Sequence, residues 1–376
     1  MQSITKIPSL KGLRVLVRVD FNVPLKGNKI LDARRIDASY QTITTILKKG
    51  GTPVLLAHLG DSQASLRPVA TYLSKTFPVV FITNDLYDPR TIDILNEVPR
   101  GTVILLENVR RYPEEEKNTA AFGKCLASFG SYYVNDAFSV SHRAHASVVG
   151  IPKKIPAFAG YQLIREITAL SKAVHNTKHP FVFILGGSKF KTKIPLLSQF
   201  IPKADKIVIA GALLNNFYMV AGFEVGDSVV EKGFEKPIKK ILTSEKLLLP
   251  IDVIVLRGAK HCVTTPLEIE KNDVIVDIGP ESVALITKEI KKAKLVVWNG
   301  PTGWYEKGFI KGTTGLAKAV TESTTEAIIG GGDTGVVVEK ILGKNTENRK
   351  IFISTGGGAA LEYLSAGTLV GIKALG

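Results

Sequence analysis

Five apolar residues in a row, Phe181-Val182-Phe183-Ile184-Leu185, run directly into Gly186-Gly187-Ser188-Lys189. A run this short and this apolar fits a strand buried on both faces, as in a parallel sheet covered by helices. The glycines permit a tight turn with exposed amides, and Ser188 is placed to cap a following helix. Lys189 and Lys193 stand four apart, so on that helix they share a face at its positive end. A strand, turn and helix start of this kind suits a multiply charged anion. The string lacks the GxxxxGK[ST] form, so a P-loop is not supported.

The same pattern recurs along the chain. In the first half, residues 14–19, 52–57, 79–82, 103–106 and 132–134 read as strands, and 32–47 and 65–73 as helices. Alternation in the first strand puts Arg18, Asp20 and Asn22 on one face. Arg18, His58, Arg110 and Arg143 each follow or end a strand, and Arg35 begins a helix. Parallel neighbours would bring these side chains to one crevice beyond the strand ends, a basic pocket for a small polyanion such as a phosphorylated acid. In Ser141-His142-Arg143-Ala144-His145 a metal site would want a third ligand and regular spacing. An arginine fork between two histidines suits phosphate or carboxylate better. Glu114-Glu115-Glu116 reads as a solvated acidic turn, and Pro152 and Pro156 mark a linker. Residues 161–173 read as a helix joining the halves, with Glu166 a hinge or surface residue.

In the second half, 206–209, 295–298, 327–329 and 351–353 read as strands, 247–255 as a loop then a strand, and Asp277-Ile278-Gly279-Pro280 as a turn. Three strand ends are glycine-rich: Asn299-Gly300-Pro301-Thr302-Gly303, Gly330-Gly331-Gly332-Asp333-Thr334, and Ser354 to Gly358. Together they suggest a nucleotide cradle. Asp333 is a candidate Mg²⁺ ligand, because Mg²⁺ prefers one or two carboxylates plus phosphate oxygens. Gly330 to Gly335 also fits G-x-G-x-x-G. A dinucleotide fold needs that fingerprint at the first strand of several βα units, so NAD is disfavoured.

Length and charge narrow the class. A chain of 376 residues exceeds one ordinary core, and two domains are expected. No apolar run approaches the ~18 residues of a membrane span, and the start lacks a signal peptide's apolar segment. Cys125 and Cys262, without C-x-x-C spacing, argue against zinc or a disulfide framework and fit a reducing cytoplasm. The net charge of +15 is spread: residues 1–160 carry 21 Lys and Arg against 13 Asp and Glu, and residues 161–376 carry 28 against 21. Without a basic tail or a nucleic-acid motif, no nucleic-acid partner is expected. Lys291, Lys292 and Lys294 read as a solvated helix end.

In combination these segments resemble phosphoglycerate kinases across nearly the whole chain. The first half carries VRVDFNVPL (Val17 to Leu25), RIDA (Arg35 to Ala38), HLG (His58 to Gly60), SLRPVA (Ser65 to Ala70), LLENVR (Leu105 to Arg110), VNDAF (Val134 to Phe138) and HRAHAS (His142 to Ser147). The second carries ILGGSK (Ile184 to Lys189), Lys193, LP-x-D (Leu249 to Asp252), DIGP (Asp277 to Pro280), VWNGP (Val297 to Pro301), Glu306, GGGDT (Gly330 to Thr334) and STGGGA (Ser354 to Ala359). The resemblance implies an α/β fold of two Rossmann-like domains with parallel sheets, joined by a hinge helix, with a cleft between them. Residues 1–160 would bind 3-phosphoglycerate or 1,3-bisphosphoglycerate, 161–175 would form the hinge, and 176–359 would bind MgADP or MgATP. Residues 360–376 would return to the first domain.

Carried over residue by residue, Asp20, Phe21, Asn22, Arg35, His58, Leu59, Gly60, Arg110 and Arg143 look like substrate contacts, with Arg18, His142 and His145 in the surrounding basic patch. Lys193, Gly211, Asn299, Pro301, Gly331, Gly332, Asp333 and Thr334 look like nucleotide contacts, Glu306 like the ribose anchor, and Asp333 like the metal contact. Arg35, Lys189, Gly331 and Gly357 would serve the transferring group. A monomer in the cytoplasm is implied. A non-catalytic relative that binds nucleotide or an anionic partner is the alternative. Several positions depart from the family pattern. Asp61 stands where an arginine usually follows HLG, in a shortened loop, and weaker substrate binding is expected. Thr192 replaces the usual Asp between the lysines. Ala210-Gly211-Ala212 replaces a glycine run, and Trp304-Tyr305 replaces a small aliphatic residue and Phe, which bears on base preference.

Overall fold

The computed structural model describes residues 1–175, 177–343 and 350–376. The chain divides into two compact units, Met1–Thr168 with Thr368–Gly376, and Ala169–Gly367. The helix Tyr161–Val174 runs through the boundary. Glu166 on this helix is fully buried, so it is not a surface residue.

In the first unit, six strands lie in the order Val79–Ile82, Val103–Leu106, Thr52–Leu56, Arg14–Arg18, Tyr132–Asn135 and Ala157–Ala159. All neighbours are parallel. Val15, Val17 and Val19 lie wholly within the core. Arg18 pairs in register with Leu56 on one side and Asn135 on the other. Equal strand ends therefore deliver Asp20, His58 and Asp136 to one edge, where open α/β sheets bind ligands.

Two local expectations change here. The helix expected over 32–47 is broken into Arg34–Asp37 and Tyr40–Lys48. At the break the Ser39 hydroxyl donates to the Ile36 carbonyl at 2.7 Å, a local bond that competes with the helical ladder. Glu114 to Glu116 do not form a wholly solvated turn. They lie in the short helix Pro113–Lys117, and Glu115 is completely buried.

The second unit repeats the architecture with strands in the order Leu247–Leu248, Lys206–Ile209, Phe181–Leu185, Leu295–Asn299, Glu326–Gly330 and Ile351–Ile353. These neighbours are also parallel. All five residues of Phe181–Leu185 are buried, as their apolar run implied. Leu185 is in register with Ile209 and Asn299, and Asn299 with Gly330. Gly186, Ala210, Gly300 and Gly331 thus begin their loops side by side. An antiparallel sheet of Val253–Arg257, Lys260–Thr264 and Asp273–Ile278 is added to this frame. Only its first strand was legible, because Lys260–Thr264 is largely exposed and offers no apolar run.

Candidate functional site

At the loop edge of the second sheet lies a cavity of about 600 Å³, within the usual size of a small-molecule site. Its floor is three loops bonded to one another through their backbones. Gly186 N–H donates to the Asn299 carbonyl, Gly187 N–H to Pro301, and Gly211 N–H to Thr302, at 2.8–3.0 Å. The amides of Gly186 and Gly187 are therefore consumed in joining loops and are not exposed, contrary to expectation. The joint is too tight for side chains. A Cβ on Gly211, whose φ is +62°, would stand 2.5 Å from Gly187 N.

The two lysines take different positions. The helix Phe190–Phe200 starts one residue after Lys189, which is extended, and Ser188 makes no cap. The Phe190 amide donates instead to the Glu231 carboxylate at 2.9 Å. Lys189 is exposed on the cavity wall. Lys193 is buried, and its ammonium donates to the Gly186 carbonyl at 2.9 Å and to Asn299 Oδ1 at 2.5 Å. The pair does not share a solvent face. Burial lowers the Lys193 pKa to about 8.

Asn299, Pro301, Glu306, Gly331 and Asp333 line the same cavity as Lys193 and Gly211; Gly332, Thr334 and Gly357 do not. Gly331 and Gly357, at φ +94° and +53°, immediately precede the helices Gly332–Leu342 and Gly358–Ala366. Those helix starts offer the amides that the first loops do not. The Asp333 carboxyl is held above its usual range by burial and by the negative charge of Glu306. The negative charge of Glu306 near the Asp333 carboxyl favours a cation at that carboxyl.

Sequence reasoning missed two features of this wall. Asp277 is a buried post: its carboxylate accepts from the Thr302 hydroxyl at 2.9 Å and the Gly312 amide at 2.8 Å. Leu214, Val229, Val274 and Val276 add an apolar flank. Trp304 joins that flank and is 41% exposed. The DIGP motif was the available signal for Asp277, but it read only as a turn.

In the first unit, the predicted anion contacts are cross-braced. Arg35 Nη1 stands 3.2 Å from Asp20 Oδ2 and donates to the Asn22 carbonyl at 3.1 Å. Asp20 also accepts from the Ser139 hydroxyl at 2.5 Å. Asn22 Oδ1 accepts the Gly60 amide at 3.0 Å, and the Gly60 carbonyl accepts from Arg110 at 2.7 Å. Arg110 also approaches Glu116 at 3.3 Å. Arg143 Nε lies 3.4 Å from His142 Nε2. Phe21 and Leu59 turn their side chains into the core, so only their backbones can serve a ligand.

Arg18 is not an open member of the patch; it is 1% exposed. Its fork reaches the Ser147 hydroxyl at 2.8 Å and His58 Nδ1 at 3.1 Å. Burial and the surrounding cations push the His58 pKa down to about 2 and that of His145 to about 4. Asn108, fully buried, holds the shortened loop by donating to the carbonyls of Leu59, Asp61 and Ala64 at 2.8–2.9 Å. Asp61 itself accepts from the Gln63 amide at 2.9 Å, closing a local turn.

A family model described as phosphoglycerate kinase matches residues 4–367. The chain belongs to the phosphoglycerate kinase family. It is 40% identical to the phosphoglycerate kinase of Dictyoglomus turgidum, over 97% of this chain and 96% of the relative. It is 41% identical to that of Pelodictyon phaeoclathratiforme, over 98% and 97%. The phosphoglycerate kinase structure from Coxiella burnetii matches with a TM-score of 0.86 at 35% identity, covering 99% of this chain and 97% of that one. The Pyrococcus horikoshii enzyme matches with a TM-score of 0.85 at 26% identity. Membership brings the reaction class, phosphoryl transfer in glycolysis, and ATP or ADP as a substrate. Among the described residues no helix is long and apolar enough to cross a membrane.

Proposed function

We propose that the chain transfers a phosphoryl group reversibly between 1,3-bisphosphoglycerate and MgADP, giving 3-phosphoglycerate and MgATP. The observation that carries this reading is the cavity of the second unit, a cradle of interlocked glycine loops with Lys189 on its wall, on a chain that matches the family over residues 4–367. In this reading the first unit binds the phosphorylated acid through Asn22, Arg35, His58, Arg110, His142 and Arg143. Asp20 orients Arg35, and Gly60 orients Arg110. The second unit binds the nucleotide, with Glu306 at the ribose and Lys193 and Thr334 toward the phosphates.

A carboxylate acceptor is already ionised at neutral pH, so no general base is required. Catalysis reduces to alignment and charge neutralisation. Arg35 and Lys189 neutralise the equatorial oxygens of the travelling group, with amides at Gly331 and Gly357 assisting. Mg²⁺ would be held by Asp333, with Glu306 adding negative charge nearby, and would neutralise the polyphosphate. Water has to be shut out, or transfer becomes hydrolysis. A hinge at the helix spanning 161–175 is our candidate for that motion. A cytoplasmic monomer completes the proposal. A coupled assay with ATP, 3-phosphoglycerate and Mg²⁺ tests it: turnover that requires all three is expected, and its absence in folded protein refutes the reading.

A further inference from the structure

Resting on the assignment of the first unit to the acid substrate, we propose that Glu115 is a positioning residue. Through Ser147 and Arg18, it sets His58 as a neutral hydrogen-bond donor to that substrate. The cluster draws on four separate segments. Glu115 is wholly buried, accepting from the Ser147 amide at 2.8 Å and from its hydroxyl at 2.5 Å. The Ser147 oxygen in turn accepts from Arg18 Nε at 2.8 Å. Arg18 Nη1 donates to the Val19 carbonyl at 2.6 Å, and Nη2 meets His58 Nδ1 at 3.1 Å.

A guanidinium only donates hydrogen bonds and does not lose its proton in proteins. His58 Nδ1 must therefore be the acceptor and carry no hydrogen. In a neutral imidazole the proton then sits on Nε2. Protonating Nδ1 as well would set two N–H groups against each other, with Arg110 and Arg143 adding further positive charge around the ring. His58 thus differs from the arginines of its neighbourhood: it contributes direction, not charge.

The arrangement requires an anion. Arg18 is buried beyond the reach of water, and an unpaired buried cation is strongly unfavourable. Asp20, the other nearby carboxylate, is engaged by Arg35 and Ser139. Glu115 is the carboxylate joined to Arg18 through a single hydroxyl. Its Oε1 also lies 3.8 Å from His145 Nδ1, beyond hydrogen-bond distance.

Long-range ¹⁵N spectra of the imidazoles test the tautomer, with His58→Asn identifying the resonance among six histidines. At neutral pH the His58 ring is expected uncharged with its proton on Nε2. A charged ring, or a proton on Nδ1, overturns the proposal. Steady-state kinetics of Glu115→Gln test the positioning. The KM for 3-phosphoglycerate should rise about tenfold, as for outer partners that orient a ligand-binding histidine, with the KM for ATP within about twofold of the parent. Equal changes in both, or no change in folded protein, count against it. If Glu115→Gln does not fold, Ser147→Ala must show the same one-sided split. Parent protein that turns over no 3-phosphoglycerate would instead remove the functional assignment, whatever the tautomer.

Discussion

Each unit has its own six-stranded parallel sheet with a loop edge, yet the two present ligand-binding groups in opposite ways. In the first, side chains dominate, and many already have partners: Arg35 with Asp20, Arg110 with the Gly60 carbonyl, and Arg18 with Ser147 and His58. In the second, backbone defines the floor, and glycine lets three loops touch where no side chain would fit. A small rigid acid suits forks held in one pose, since preorganised donors lose little entropy on binding. A polyphosphate suits a surface of amides and helix starts that approaches it closely. The difference teaches that equivalent strand ends do not imply equivalent chemistry.

The contrast can be broken most directly at Lys189, an exposed cation on the cavity wall of the backbone-built unit. Lys189→Ala should lower kcat by roughly 10²–10³, as loss of a group stabilising developing charge does. Nucleotide affinity, measured by calorimetry, should change only a few-fold. Equal losses in both would mean that Lys189 serves ground-state binding. Gly211→Ala should weaken nucleotide binding about tenfold or more, because left-handed strain of ~1–3 kcal/mol adds to a Cβ placed 2.5 Å from Gly187 N. Binding of 3-phosphoglycerate should be untouched, and a parallel loss would show that the damage reaches beyond the cradle.

Smaller effects sharpen the comparison. Asp61→Arg should tighten 3-phosphoglycerate binding several-fold, consistent with one charge-assisted contact of ~1.5–3 kcal/mol reduced by exposure. Unchanged affinity would mean that the short loop pinned by Asn108 cannot present a fork there. Last is a pH effect confined to the second unit. The Lys193 ammonium titrates near 8, well below an ordinary lysine, and its charge favours an anion. ATP affinity should therefore fall about two- to threefold between pH 7 and 9, as the amine neutralises. Lys193→Met should flatten that slope, and a slope that survives the substitution assigns it elsewhere.

What could be read beforehand follows from locality. Apolar runs ending in glycine or a basic residue reveal parallel strands and the edge they share, because strand, turn and helix start are neighbours in sequence. Trp304 and Asp61 were visible for the same reason, as departures within short motifs. Glu115 was not. Three glutamates in a row look like a solvated surface, and only folding brings the middle one to Ser147 and Arg18. Lys193 shows the same limit. Its helical spacing from Lys189 suggested a shared face, but the helix begins one residue too late, and the Asn299 amide draws the ammonium inward. The sheet completed by Lys260–Thr264 and Asp273–Ile278 was hidden because it mixes exposed and buried residues without a clean alternation.

The first unit is completed only by residues 368–376, which come after all of the second. Gly371 donates its amide to the Ser141 carbonyl at 2.7 Å, and a Cβ there would stand 2.7 Å from the Val148 side chain. Ser141 adjoins His142 and Arg143. During synthesis the order of maturation therefore inverts the order of translation: the later unit has its whole sequence before the earlier one does. A ribosome-stalled nascent chain with residues up to 367 outside the exit tunnel should protect the second unit from protease while the 141–150 segment is still cut.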